Sequence, residues 1–276
     1  MLNIKEYVAP TSLEEAYQYL VSQKGATLLG GCAYLNLGTR TIPLAIDLSK
    51  AGLSFIKEEN DYIEIGAMTT FGDIEQSKVL AHYFNNILAL SVSDIVGVQL
   101  RNLVTVGGTV YSRYGFSDFI TALHALDTKV KLYKQGIFDL EYFLEKGSKE
   151  PDILEKVIIK KDNRKAVFKA MRNSHGDYAI LNLAAAQIGD KFRIVVGARP
   201  GRAALAYQTM EYLNKEYLKN QEFTSSALKQ AGEILSEELS FGSNGRGSSE
   251  YRKELAKVLL RKALKEVTYL AGQSEN

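Results

Sequence analysis

The 276-residue chain is predicted to fold as an α+β protein. Three observations lead there. Helix-like segments and strand-like runs succeed one another in blocks, without a repeating βα rhythm. No period of roughly 20–50 residues recurs, which sets solenoids and propellers aside. Hydrophobic residues make up 46% and charged residues 24%, the balance of an ordinary globular protein. A chain of this length buries about three quarters of its unfolded surface, so core formation is assured.

Taken in order, Ser12 with Glu15 three residues on is a capping-box start for a helix reaching about Gln23. The apolar run Ala26–Leu29 stops at Gly30-Gly31, and a second run, Ile42–Leu48, follows a turn-like segment. These make a small α/β unit, residues 1–58. A second unit, 59–163, opens with a strand at Tyr62–Ala67, a short helix at Thr70–Ser77 and a longer one at His82–Val96. Strands are expected again at Lys129–Lys134 and Val157–Lys161, with Pro151-Asp152 as punctuation between them. The third unit, 164–276, begins as an antiparallel meander: Val167–Met171, Tyr178–Gln187 and Phe192–Gly197. Helices follow at Ala203–Asn214, Ser225–Ser240 and Ser248–Ala271. The last carries Tyr251, Leu255, Val258, Leu259, Ala263, Val267 and Leu270 on one stripe.

Lys+Arg 34 against Asp+Glu 32 gives a net charge of +2, so no nucleic-acid partner is expected. The lone Cys32 excludes an internal disulfide and argues against metal or iron–sulfur sites built on cysteine pairs; with only 3 His, no metal site is expected in this chain. The opening MLNIKEYVAP has no long apolar run. Neither a signal peptide nor a membrane span is expected, and the expected location is cytoplasmic. His82, His124 and His175 are scattered and read as structural or solvent-facing. Nucleophile-elbow, Walker and HExxH motifs are absent, so no side chain is singled out as catalytic.

Two glycine pairs carry the chemistry. In Thr27-Leu28-Leu29-Gly30-Gly31-Cys32-Ala33-Tyr34 a tight turn follows a strand. Such a turn can aim successive N–H groups at one anion, although Gly-Gly after a strand is also an ordinary turn. The second pair closes Gln99-Leu100-Arg101-Asn102-Leu103-Val104-Thr105-Val106-Gly107-Gly108-Thr109 after an apolar run. Two such turns can clamp the two phosphates of one dinucleotide, with Thr105 and Thr109 as hydroxyl donors. Asp118 can accept from ribose or adenine and can also cap the following helix, and the two roles are compatible. Arg101 is either a ligand contact or one half of an ion pair.

In these segments the chain resembles the flavin subunits of molybdenum hydroxylases, which include xanthine, carbon monoxide and nicotinate dehydrogenases. Leu29-Gly30-Gly31-Cys32-Ala33 and Gln99-Leu100-Arg101-Asn102…Thr105-Val106-Gly107-Gly108-Thr109 resemble the family's two FAD-pyrophosphate loops. Tyr7–Ala16, Met171-Arg172…Asp177-Tyr178-Ala179-Ile180 and Glu250-Tyr251-Arg252 match further stretches, in order and over essentially the whole chain. Cys32 stands where Thr, Ser or His is usual, and Thr109 where Asn is usual. Tyr111–Phe116 is bulkier than the usual small-residue run.

The resemblance implies a two-subdomain FAD-binding domain followed by a C-terminal domain with a small antiparallel sheet and helices. It places FAD against Thr27, Leu28, Leu29, Gly30, Gly31, Cys32, Ala33 and Tyr34, and against Thr105, Val106, Gly107, Gly108 and Thr109. Asp118 falls on the adenosine-side acid, Ile95 and Leu154 on apolar lining positions, and Lys169 on a polar contact near the flavin end. Asp177 and Tyr178 fall on a mobile loop beside the isoalloxazine, where Tyr178 shields one ring face. The implied partners are a molybdopterin-containing large subunit and a [2Fe–2S] small subunit, with NAD or another acceptor taking the electrons. A stand-alone FAD-dependent oxidoreductase and a non-catalytic module that has lost FAD are the alternatives.

Overall fold

A computed structural model describes residues 2–273. The chain opens with β1 (Asn3–Val8), α1 (Leu13–Ser22), β2 (Thr27–Leu29), β3 (Thr41–Asp47), β4 (Ile56–Glu58) and β5 (Tyr62–Gly66). Six short helices follow: α2 (Phe71–Gln76), α3 (Lys78–Ala81), α4 (Ile87–Ser93), α5 (Val98–Arg101), α6 (Val106–Ser112) and α7 (Asp118–Ala125). Then come β6 (Thr128–Leu132), β7 (Gly136–Asp139), α8 (Leu140–Lys146) and β8 (Leu154–Lys160). The last part runs β9 (Lys165–Arg172), β10 (Ala179–Ile188), β11 (Lys191–Gly197), β12 (Ala204–Leu205), α9 (Tyr207–Asn220), α10 (Ser225–Glu238) and α11 (Ser249–Gly272). These elements form two compact units. One takes the residues up to Val79, Val96–Arg113 and Thr128–Lys161; the other takes Leu80–Ile95, Tyr114–Asp127 and the residues from Asp162 onward.

In the first unit, β3 buries Ile42, Leu44, Ala45 and Ile46 and pairs in parallel on both edges, in the order β1-β3-β2. Strand β1 has no counterpart among the sequence expectations. Nearly all its side chains are exposed, so no apolar alternation marks it, and its backbone pairing with β3 makes it a strand. The helix from Ser12 forms as expected: the Ser12 hydroxyl accepts from Glu15 N–H, and the Glu15 carboxylate accepts from Thr11 N–H. A second, antiparallel sheet runs β4-β5-β8-β6-β7. Its inner face holds Ile63, Ile65, Val130 and Val157, all fully buried.

The second unit is layered. Strands β12-β11-β10-β9 form an antiparallel sheet, with α9 and α11 against one face, α10 packed on those two helices, and α7 against the other face. That is why β10, AILNLAAAQI, is buried along nearly its whole length: strands covered on both faces lose the polar alternation of half-solvated ones. Leu255, Leu259, Ala263 and Val267 of α11 enter the core as the stripe predicts. Tyr251 does not; it is exposed, and Arg252 turns inward in its place.

Three expected elements change. The helix expected over His82–Val96 starts only at Ile87, because Phe84, Asn85 and Asn86 all have left-handed backbones (φ 54, 55 and 59°). Asn tolerates that region, and the Asn-Asn pair is its sequence signal. The helix expected over Ala203–Asn214 gives way to β12 and then α9, displaced toward the C-terminus. The second glycine pair, expected as a tight turn after an apolar run, is helical instead. The pair lies in the first turn of α6, with the Thr105 hydroxyl capping Gly108 N–H. Among the described residues, no helix is long and apolar enough to cross a membrane.

Candidate functional site

The two glycine pairs meet inside the first unit. Backbone bonds from Phe71 N–H to Val104, Val106 N–H to Thr69 and Gly107 N–H to Ala67 lay residues 104–107 along the segment after β5 and start α6 there. A Cβ on Gly30 would lie 2.6 Å from the Thr105 hydroxyl and 3.6 Å from Gly108 Cα. One on Gly31 would lie 1.2 Å from the Leu103 carbonyl oxygen, and one on Gly107 2.7 Å from Ala67 Cβ. These glycines are therefore required by the close approach of the two segments, whatever sits beside them.

Gly31, Cys32 and Ala33 follow, with Cys32 in the left-handed region at φ 58°. Among the described residues, the N–H groups of these three donate to no backbone acceptor. Successive unpaired N–H groups around a left-handed residue form a concave donor nest that suits a phosphate. The residues present thus fit the diphosphate of FAD. Thr27, Leu28 and Leu29 lead in from β2, and Leu29 packs with Ile42 and Ala45. Tyr34 accepts from Leu37 N–H as the next turn closes. Thr105, Val106 and Thr109 are all buried, so this segment presents backbone more than side chains. Burial raises the Cys32 thiol above its usual range, with Asp47 adding to the rise.

The second unit gathers Asp118, Asp177 and Tyr178. Ser117 is the cap of α7, its hydroxyl accepting from Ile120 N–H, and Asp118 is the first helical residue. The Asp118 carboxylate, 4% exposed, accepts from Arg172 Nη2 at 2.6 Å and Asn182 Nδ2 at 2.5 Å. Burial pushes its carboxyl up, and the Arg172 guanidinium opposes that. Arg172 also donates through Nη1 to the Asp177 carbonyl at 3.2 Å, so one guanidinium joins Asp118 to the segment before Tyr178. Arg246 binds the Asp177 carboxylate at 2.9 Å and holds its carboxyl below the ordinary range. The Tyr178 ring, 41% exposed, has Phe116 edge-on at 5.0 Å.

Leu154 is buried in β8, opposite Leu132. Ile95 is half-buried just beyond α4. Lys169 Nζ forms an ion pair with Glu266 of α11 at 2.5 Å. Arg101 forms an ion pair, holding Glu75 with Nε at 2.7 Å and Nη2 at 3.2 Å. His82 and His175 are exposed and His124 is buried.

Sequence reasoning passed over Asn182 and Arg246, and took Arg172 only as part of a matching stretch. Asn182 did carry a signal: one amide inside an otherwise apolar strand needs a buried partner. Arg246 lies between two glycines in a loop, where no periodicity reports a role.

Residues 2–161 match the family described as the FAD binding domain in molybdopterin dehydrogenase, and residues 166–267 match the CO dehydrogenase flavoprotein C-terminal domain. The chain is 27% identical to the glyceraldehyde dehydrogenase medium chain of Sulfolobus acidocaldarius, over 95% of this chain and 97% of that protein. It is 30% identical to the nicotinate dehydrogenase FAD-subunit of Eubacterium barkeri, over 56% and 57%. A chain in the crystal structure of the cyanide-inactivated Cu,Mo-CO dehydrogenase shares the fold, with TM-score 0.86 at 24% identity over 98% of this chain and 99% of that one.

Proposed function

The chain belongs to the family of FAD-binding subunits of molybdopterin dehydrogenases, and on that premise we propose that it relays electrons within a molybdenum hydroxylase. It receives them from a [2Fe–2S] small subunit, stands beside a molybdopterin-containing large subunit, and delivers them to NAD or another acceptor. The observation that carries this reading is the meeting of both glycine pairs beside a nest of unpaired N–H groups.

Bound FAD supplies the redox chemistry; the protein supplies position, electrostatics and access. In this reading Gly31, Cys32 and Ala33 donate backbone N–H groups to one phosphate. The turn capped by Thr105 faces the other. Donors fixed in advance toward an anion need no reorganisation when it binds, which favours affinity. Asp118, assigned to the adenosine side, acts largely through Arg172, which it anchors together with Asn182. Asp177 and Tyr178 stand at the flavin side, where Tyr178 covers one ring face and sets access for the acceptor.

Purifying the chain with its native partners, followed by cofactor analysis, tests the proposal. The expected result is stoichiometric FAD, molybdopterin and [2Fe–2S] in one complex. FMN, which lacks the second phosphate and the adenosine, should bind the flavin-free chain about a hundredfold more weakly, the loss of roughly two charge-assisted hydrogen bonds. Equal affinity for FAD and FMN removes the diphosphate cradle; a yellow chain that purifies alone removes the subunit assignment.

A further inference from the structure

We propose that Arg246 is a positioning residue that fixes the Tyr178 ring at the flavin side, acting from a loop clamped by the buried guanidinium of Arg252. This deepens the reading in which Tyr178 stands beside the isoalloxazine, and rests on it. The Arg246 guanidinium carbon lies 5.0 Å from the centre of the Tyr178 ring. Its Nη2 and Nε reach the Asp177 carboxylate at 2.9 and 3.2 Å, and the same carboxylate oxygen accepts from Tyr178 N–H at 2.8 Å. One side chain therefore grips both the ring and the residue before it. Phe116 holds the ring edge, and Tyr114 stacks on Phe116 at 5.0 Å.

The loop that carries Arg246 is itself held. Asn244 and Gly247 exchange two backbone bonds of 3.1 Å. Arg252, 0% exposed, donates to the carbonyls of Gly242 at 2.7 Å and Gly247 at 2.5 Å, to Asn244 Oδ1 at 2.7 Å and to the Ile180 carbonyl at 2.8 Å. Ile180 lies two residues beyond Tyr178. These four partners of the buried cation are carbonyl oxygens, with no carboxylate among them. Burying a charge on those terms is costly, and what it secures is the placement of the Arg246 loop against the start of β10. A surface tyrosine is thus given a single orientation from its face, its edge and its backbone.

The chain contains no tryptophan, so Tyr178→Trp installs a single reporter that keeps a ring for Arg246 to cover. Acrylamide quenching of this reporter in the flavin-free full chain reads how firmly the ring is held. Adding Arg246→Ala should raise quenching about two- to fivefold, the factor lost with one exposed cation–π contact. Arg246→Lys should recover only part of the protection, because an ammonium keeps the charge but not the planar stack. Unchanged quenching in the Ala variant, with far-UV circular dichroism showing the fold intact, overturns the clamp. If the Ala variant fails to fold, full protection in the Lys variant overturns it instead. The FAD-loaded chain separates the underlying reading: emission from the Tyr178→Trp reporter should be strongly quenched by FAD with Arg246 present. Emission indifferent to FAD overturns the placement beside the flavin, and with it the flavin-side role, while the flavin-free comparison still reports on the grip itself.

Discussion

His124 lies 2% exposed in α7, and neither ring nitrogen has a partner among the described residues. Burial, with a smaller contribution from Arg193, lowers its pKa from 6.5 to about 3. Between those values the unfolded chain binds a proton that the folded chain refuses, so stability rises with pH across the window. It is complete above about pH 6.5 and is lost as pH falls toward 3. At pH 5 the loss is about 2 kcal/mol relative to pH 8. Urea unfolding of His124→Leu at the two pH values should show that difference shrinking by a similar amount; an unchanged difference removes His124 as its source. Asn86 gives a prediction of opposite sign. It sits at φ 59° with its side-chain oxygen buried and unpartnered. Asn86→Gly should raise the unfolding free energy by up to about 1 kcal/mol in urea melts. At this scale the glycines were legible, because tight approach admits no other residue. Arg246 was not, since an arginine in a loop looks the same in sequence whether it holds a ring or faces water.

Among the elements, α11 was the most legible: twenty-four residues with a continuous apolar stripe leave little choice of conformation. Leu260, fully buried in its core cluster, should cost about 2–5 kcal/mol when replaced by Ala, read by thermal or urea unfolding. α2 is short, and its start is set by a reciprocal cap: the Thr70 hydroxyl accepts from Asp73 N–H while the Asp73 carboxylate accepts from Thr70 N–H. Thr70→Ala should cost about 1 kcal/mol in the same assay. Because Thr70 also bridges Thr105, the substitution should weaken FAD binding as well, which flavin titration would detect; an unaltered affinity separates the cap from the cradle. The elements misread were those whose conformation is decided by partners. β1 exists because β3 offers an edge. The turn expected at Gly107-Gly108 becomes a helix start because residues 67–71, distant in sequence, take the backbone bonds of residues 104–107.

On the scale of the whole molecule, the chain passes between the two units at Val79–Leu80, Ile95–Val96, Arg113–Tyr114, Asp127–Thr128 and Lys161–Asp162. Every residue of α7 is buried, and its packing partners in the sheet, β9, β10 and β11, all come after Lys161. A chain cut after Lys161, near the end of the first family match, keeps α4 and α7 and loses the sheet that covers them. It should bind ANS and lose helix signal in circular dichroism. A cut chain that melts cooperatively and binds no dye overturns this. Local pattern shows that α7 is buried but not what buries it, so this level of organisation was the least legible in the sequence.

The same threading gives the protein an order of events during synthesis. Residues after Lys161 are not needed to finish the first unit, whereas α4 and α7 leave the ribosome with only each other to pack on. Their sheet is complete through β10 only some sixty residues after α7 ends, a wait of roughly 3–12 s at about 5–20 residues per second. For that interval the nascent polypeptide carries two greasy helices, and a chaperone or a slowed stretch of translation just past α7 would act there first.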